Sequence, residues 1–253
     1  MASDLDAVCR SEAQRVTTAL RANRRWSQNR SWGHEEASPL RQLCTWRLGS
    51  GGATELLEPH QPGFCFWKRG RACQPLLRIL RSAEFGGPAT FVALEAAHNV
   101  VVAVCEEHRS GTGELQRPLA GTLCDVARAA CECVFEETNA QTDEATAAQM
   151  VALLSLCCSA PLPTDSCAAV AEADSSALFS PQDRVRAFSK VLAVWSHYRQ
   201  SHMLRASAQA ALQRILDACL VDLASPARCD FLRLVLGNMA AEAEWATHSA
   251  ETA

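Results

Sequence analysis

The stretch Pro88-Ala-Thr-Phe-Val-Ala-Leu-Glu-Ala-Ala-His-Asn-Val-Val-Val-Ala-Val-Cys-Glu-Glu107 decides the fold. Val92, Ala93, Ala96, Val100, Val101 and Val104 recur three or four residues apart, so a helix gathers them on one face. Glu95, Asn99 and Glu106 fall on the other face. Gly86-Gly87-Pro88 marks the start, and the glycines read as turn residues. Proline suits a first helical turn because the N–H it lacks has no partner there.

Working outward, the same spacing returns on both sides. Toward the N-terminus, Asp4 to Arg24 carries Leu5, Val8, Cys9, Val16, Ala19 and Leu20, and Ser38-Pro39 opens a short helix. Pro75 to Arg81 carries Leu76, Leu77, Ile79 and Leu80. Toward the C-terminus, Pro118 to Phe135 turns Leu119, Leu123, Val126, Ala130 and Val134 inward. Thr142 reads as an N-cap ahead of Asp143 and Glu144, where the helix dipole favours negative charge. That helix is apolar on nearly every side from Met150 to Cys158, so it is predicted to be central. Ser180-Pro181 starts a helix with Val185, Phe188, Val191, Leu192 and Trp195 inward. A further helix runs from His202 to Leu223, and a last one bears Phe231, Val235 and Met239.

No stretch alternates with period two, and Ala and Leu, strong helix formers, abound. The expected fold is all-α, an armadillo/HEAT-like stack of about eight or nine antiparallel helices. It forms one domain over residues 1–253, with a Gly/Pro loop at 49–70, an insertion at 161–179 and a frayed tail after 245. No repeat is visible in the sequence itself. A chain of 253 residues buries roughly three quarters of its unfolded surface and requires no metal or disulfide.

Composition excludes several functions. A net charge of −4 argues against a nucleic-acid binder, whose affinity rests on neutralising phosphates. Lys68 and Lys190 are the only lysines among 24 basic residues. The 13 cysteines show no Cys-x-x-Cys spacing, and the histidines are not placed to complete a zinc site. No metal or cofactor is expected, and the thiols read as reduced, structural residues of a cytosolic protein. The chain shows no secretory signal, and no run is expected to reach the ~18 apolar residues of a membrane span. Phosphate loops and hydrolase or kinase signatures are missing. Cys157/Cys158 read as packed thiols rather than a nucleophile, because burial suppresses the thiolate. His34-Glu35-Glu36 reads as a solvated cluster. No catalytic residue is assigned.

Two basic stretches stand against the acidic whole. One is Arg21, Arg24, Arg25 and Arg30 around Trp26 and Trp32; the other is Lys68, Arg69, Arg71, Arg78 and Arg81 near Trp67. Such interleaving suits anionic headgroups or an acidic partner. The plainer reading is a solvated helix end with tryptophans packed beneath.

Several segments resemble one family. Asn23-Arg24-Arg25-Trp26-Ser27 is similar to the "R-N-x-R-W" signature of the large Golgi guanine-nucleotide exchange factors for Arf, the brefeldin A-resistance-factor and GNOM branch. Gln74-Pro75-Leu76-Leu77-Arg78-Ile79-Leu80-Arg81-Ser82 resembles its "x-P-F-L-x-V-I-x-S". Gly87-Pro88-Ala89-Thr90-Phe91-Val92-Ala93-Leu94 resembles its "G-P-I-T-G-x-A-L". Cys133-Val134-Phe135-Glu136 and Thr142-Asp143-Glu144 fall where the family has "R-F" and "S-[DE]-E". The likeness spans residues 5–223 and implies the family's N-terminal dimerisation and cyclophilin-binding domain. It implies no exchange activity for these residues, since nucleotide exchange belongs to a separate downstream module.

The implied partners are a second copy or the adjacent upstream regulatory domain, with the protein cytoplasmic and peripheral on Golgi membranes. The residues so implicated in interaction are Glu144, Asn99 and Asp143. The family often carries a lysine where this chain has Asn99, while the counterpart, Glu144, is retained. Two other readings stay open: a helical scaffold unrelated to Arf, and an enzyme with a cysteine nucleophile.

Overall fold

The computed structural model describes residues 4–22, 73–83, 85–109, 116–135, 140–160, 181–197, 201–222, 229, 231–237 and 239–240. Seven helices are defined there: α1 (Asp4–Ala22), α2 (Gln74–Arg81), α3 (Gly87–Arg109), α4 (Gln116–Cys131), α5 (Ala140–Ser159), α6 (Pro181–Ser196) and α7 (His202–Asp222). A helical stretch over 231–237 follows. No β-strand occurs among the described residues. The short helix expected from Pro39, the loop at 49–70, the insertion at 161–179 and the tail after 245 lie outside them.

The helices form an all-α stack in two layers. α1 packs on α3, α3 on α5, and α5 on α7; α2 packs on α4, and α4 on α6. Contacts between α2 and α3, α4 and α5, and α6 and α7 join the layers. From α2 onward, each described helix therefore meets its sequence neighbour and the next but one, the arrangement expected of stacked amphipathic helices.

Two helices form the centre. α5 touches α3, α4, α6 and α7, which is why it has no polar face. Val151, Leu153, Leu154, Cys157 and Cys158 are all buried. α3 touches α1, α2, α4 and α5, and buries Ala93, Leu94, Ala96, Ala97, Val100, Val101 and Val104. Against expectation, Gly87–Glu106 is apolar and long enough to cross a membrane by composition and length, with a mean hydropathy of 1.5. Neighbours on several sides account for this: 56% of that window is buried inside the protein.

The structure corrects several faces and boundaries. Glu95 and Asn99 are only partly exposed, because α1 packs along that side of α3: Arg15 of α1 pairs with Glu95 at 3.1 Å. α5 begins at Ala140, so Thr142 lies inside the first turn instead of capping it. α4 ends at Cys131, four residues before the expected Phe135. Its end is closed by Cys133 N–H donating to the Ala130 carbonyl at 3.3 Å, while Lys190 donates to the Cys133 carbonyl at 3.3 Å. Beyond that turn Val134 points outward, 53% exposed instead of buried. Trp195 and Met239, expected inward, are also exposed, each near the end of its element.

Candidate interaction surface

Asn99, Glu144 and Asp143 each have a defined place in the fold. Asn99 is half-buried and donates from Nδ2 to Glu12 Oε1 of α1 at 2.9 Å. Glu12 is itself held by Arg15 at 2.9 Å, so Asn99 ends a polar chain of Arg15, Glu12 and Asn99 between α1 and α3. Glu144 accepts a hydrogen bond from the Ser201 hydroxyl. Ser201 immediately precedes α7, and its Oγ also accepts from the Leu204 N–H at 3.1 Å, which caps that helix. Asn99 and Glu144 are thus turned to different neighbours, α1 and the start of α7, and are not brought together.

Asp143 meets a residue from the other end of the quoted motifs. A Cβ built on Gly87 would lie 2.6 Å from Asp143 Oδ1. Thr146, one turn further along α5, donates to the Gly87 carbonyl at 3.0 Å. Two side chains of α5 therefore close over the first turn of α3, and Asp143 places its carboxylate where the α3 dipole is positive. Gly87 is needed for space rather than for turn conformation, and the sequence pattern alone does not reveal this.

The remaining motif residues are mostly core. Pro75, Leu77, Thr90 and Leu94 are buried, whereas Pro88 is exposed. Thr90 Oγ1 finds no partner among the described residues. Asn23, Arg25 and Trp26 lie outside the described residues, as do Arg24, Arg30, Trp32, His34 and Trp67 through Arg71. Of the basic residues singled out, Arg81 pairs with Glu132 at 2.6 Å and thereby ties α2 to the end of α4.

A concavity with a charged rim lies elsewhere, between the end of α4 and one face of α6. It encloses about 630 Å³ and is lined by Arg128, Cys131 and Glu132 from the α4 side and by Asp183, Arg186 and Lys190 from α6, among others. Arg128 grips Asp183 with two bonds, Nη2 to Oδ2 at 2.8 Å and Nε to Oδ1 at 3.1 Å. Asp183 is 6% exposed, so this fork joins two helices in a poorly hydrated place. The hydrogen bond to Asp183 holds the guanidinium pKa above its ordinary value. Arg186, Ser189, Lys190 and Ala193 form a stripe at helical spacing along the rim. Sequence reading passed over this place because its residues come from segments 55 positions apart. The Arg186/Lys190 spacing was the available signal.

Most of the described thiols sit in the core, whereas Cys229 is exposed. Cys73, Cys124, Cys133, Cys157 and Cys158 are buried, and Cys131 is half-buried. Burial pushes Cys73, Cys124 and Cys131 up to about 12 and Cys133 to about 11. It also raises Cys157 and Cys158 well above the ordinary range. A thiol so placed holds its proton at neutral pH and is a poor nucleophile. Among the described residues no group of three or more His, Cys, Asp or Glu side chains is placed to hold a metal ion.

No family model matches the chain, and no curated protein matches it.

Proposed function

We propose that this chain is a non-catalytic regulatory and protein-interaction domain of the kind found at the N-terminus of large Golgi Arf exchange factors. It acts by binding a second copy of itself or the adjacent upstream regulatory domain, and so helps to place an exchange factor on Golgi membranes. One observation carries the reading: the residues behind the resemblance are fold-determining. Pro75, Leu77, Gly87, Thr90 and Leu94 are buried where α2 and α3 enter the stack. Gly87 and Asp143, from two separate motifs, meet there. A likeness confined to the surface would carry less weight.

A two-layer helical stack suits this role, since its faces offer long surfaces while its interior supplies rigidity. Burial keeps Cys73, Cys124, Cys131, Cys133, Cys157 and Cys158 protonated, which favours binding over nucleophilic chemistry at these thiols. The test is a binding titration of the purified chain against the upstream regulatory domain of such a factor, followed by sedimentation, with Arf nucleotide release measured in parallel. The proposal expects a saturable complex, with itself or with that domain, and unaltered nucleotide release. Binding to neither would transfer the chain to an unrelated scaffold, and accelerated release would overturn the non-catalytic assignment.

A further inference from the structure

We infer that the concavity between α4 and α6 is a docking site for an acidic protein segment, the carboxylates of which engage Arg186 and Lys190. The inference rests on the reading of the chain as an interaction domain and names the chemistry of one of its partners.

Among the described residues the charges of the concavity are not balanced: three cations line it against two carboxylates, Asp183 and Glu132. Both carboxylates are committed: Asp183 to the Arg128 fork, and Glu132 to Arg81 at 2.6 Å. Arg186 is exposed and forms no ion pair with the described residues, and among those residues Lys190 donates to a neutral acceptor, the Cys133 carbonyl. The two cations lie four residues apart on one helix face, about 6 Å along the axis. That separation suits two carboxylates one turn apart in a helix. The setting is a chain of net charge −4, so this rim is a local exception to the field of the whole protein.

The floor favours a peptide over a small anion. Cys131 and Val185 supply apolar surface between the charges, and Cys131, pushed up to about 12, presents a neutral thiol. Carboxylates would therefore be held at the rim while an apolar side chain between them covers the floor. The exposed cations would contribute mainly on-rate and selectivity, so binding should be salt-sensitive.

The experiment uses the full chain and a fluorescein-labelled peptide with alternating Glu and Leu turns, beside its Gln-for-Glu counterpart and inorganic phosphate as competitor. Anisotropy should show the Glu peptide binding and the Gln peptide binding about tenfold more weakly or not at all, with phosphate a poor competitor. R186E/K190E should abolish binding, and the milder R186Q/K190Q should weaken it about tenfold, both with unchanged circular dichroism. The control R10E/R214E changes net charge equally, on α1 and α7, and should bind within about twofold of wild type. Lys190 offers a readout without mutation: the peptide should slow its acetylation and leave Lys68 unaffected. Equal binding of the Glu and Gln peptides, equal loss in R10E/R214E, efficient competition by phosphate, or unprotected Lys190 would each overturn the inference. None of these outcomes touches self-association, which light scattering reads independently.

Discussion

Replacing Gly87 by alanine tests the close packing of α5 against the first turn of α3. The added Cβ would stand 2.6 Å from Asp143 Oδ1, whereas a carbon and an oxygen rest at about 3.3 Å. The carboxylate would have to withdraw by about 0.7 Å. Asp143 has a short side chain on a central helix, so the displacement is shared with α5 and the first turn of α3. Overpacking of this order costs about 1–3 kcal/mol, and the better helix propensity of alanine returns at most about 1 kcal/mol. The net loss expected is about 1–2 kcal/mol. Urea denaturation followed by far-ultraviolet circular dichroism would measure it in wild type and in Asp143→Ala. In the second background the obstacle is gone, and Gly87→Ala should be neutral or mildly stabilising. A coupling of about 1–2 kcal/mol is therefore expected from the double-mutant cycle. Equal effects in both backgrounds, or stabilisation in wild type, would refute the assignment of Gly87 to close packing.

Three further outcomes follow from the same geometry. Arg128→Ala removes the two-bond fork from the nearly enclosed Asp183; because Arg128 is 28% exposed, the expected loss is about 2–3 kcal/mol, below the ~3–5 of a fully enclosed pair, read from the urea midpoint. Ser201→Ala removes the α7 cap and a donor to Glu144, lowering stability by about 1 kcal/mol and speeding amide exchange in the first turn of α7. The buried thiols are raised above their ordinary value of 9.0, so the folded state holds their protons more tightly than the unfolded chain. Their contribution is present below that value and is lost as pH climbs toward about 12, so the melting temperature should fall above pH 9. Cys157→Ala/Cys158→Ala should blunt that fall, and an unchanged alkaline profile would contradict the role given to their burial.

Much of the stack was legible because burial in a helical stack imposes spacing directly. The apolar faces of α3 and α5 could be read residue by residue, since both are packed on several sides and tolerate little polarity. Proline at the start of α2 and α6 marked those boundaries for a local reason. What was hidden depended on distant pairing. Asn99 and Glu95 look like solvent-facing residues until Glu12 and Arg15 of α1 are laid beside them. Val134 has the right spacing for the core, but α4 stops before reaching it, held by groups from α2 and α6. The α4–α6 concavity was likewise invisible, because Arg128 and Asp183 belong to different elements and only the tertiary fold joins them.

The most direct measurement of the account is light scattering coupled to size exclusion over a range of protein concentrations, for wild type, Glu144→Gln and Glu144→Lys. Glu144→Gln retains an acceptor for Ser201 and so keeps the α7 cap, whereas Glu144→Lys reverses the charge. The interaction-domain reading predicts a concentration-dependent dimer in wild type, preserved in Glu144→Gln and weakened in Glu144→Lys, with all three equally folded. Strict monomers at every concentration, together with failure to bind the upstream regulatory domain, would contradict it.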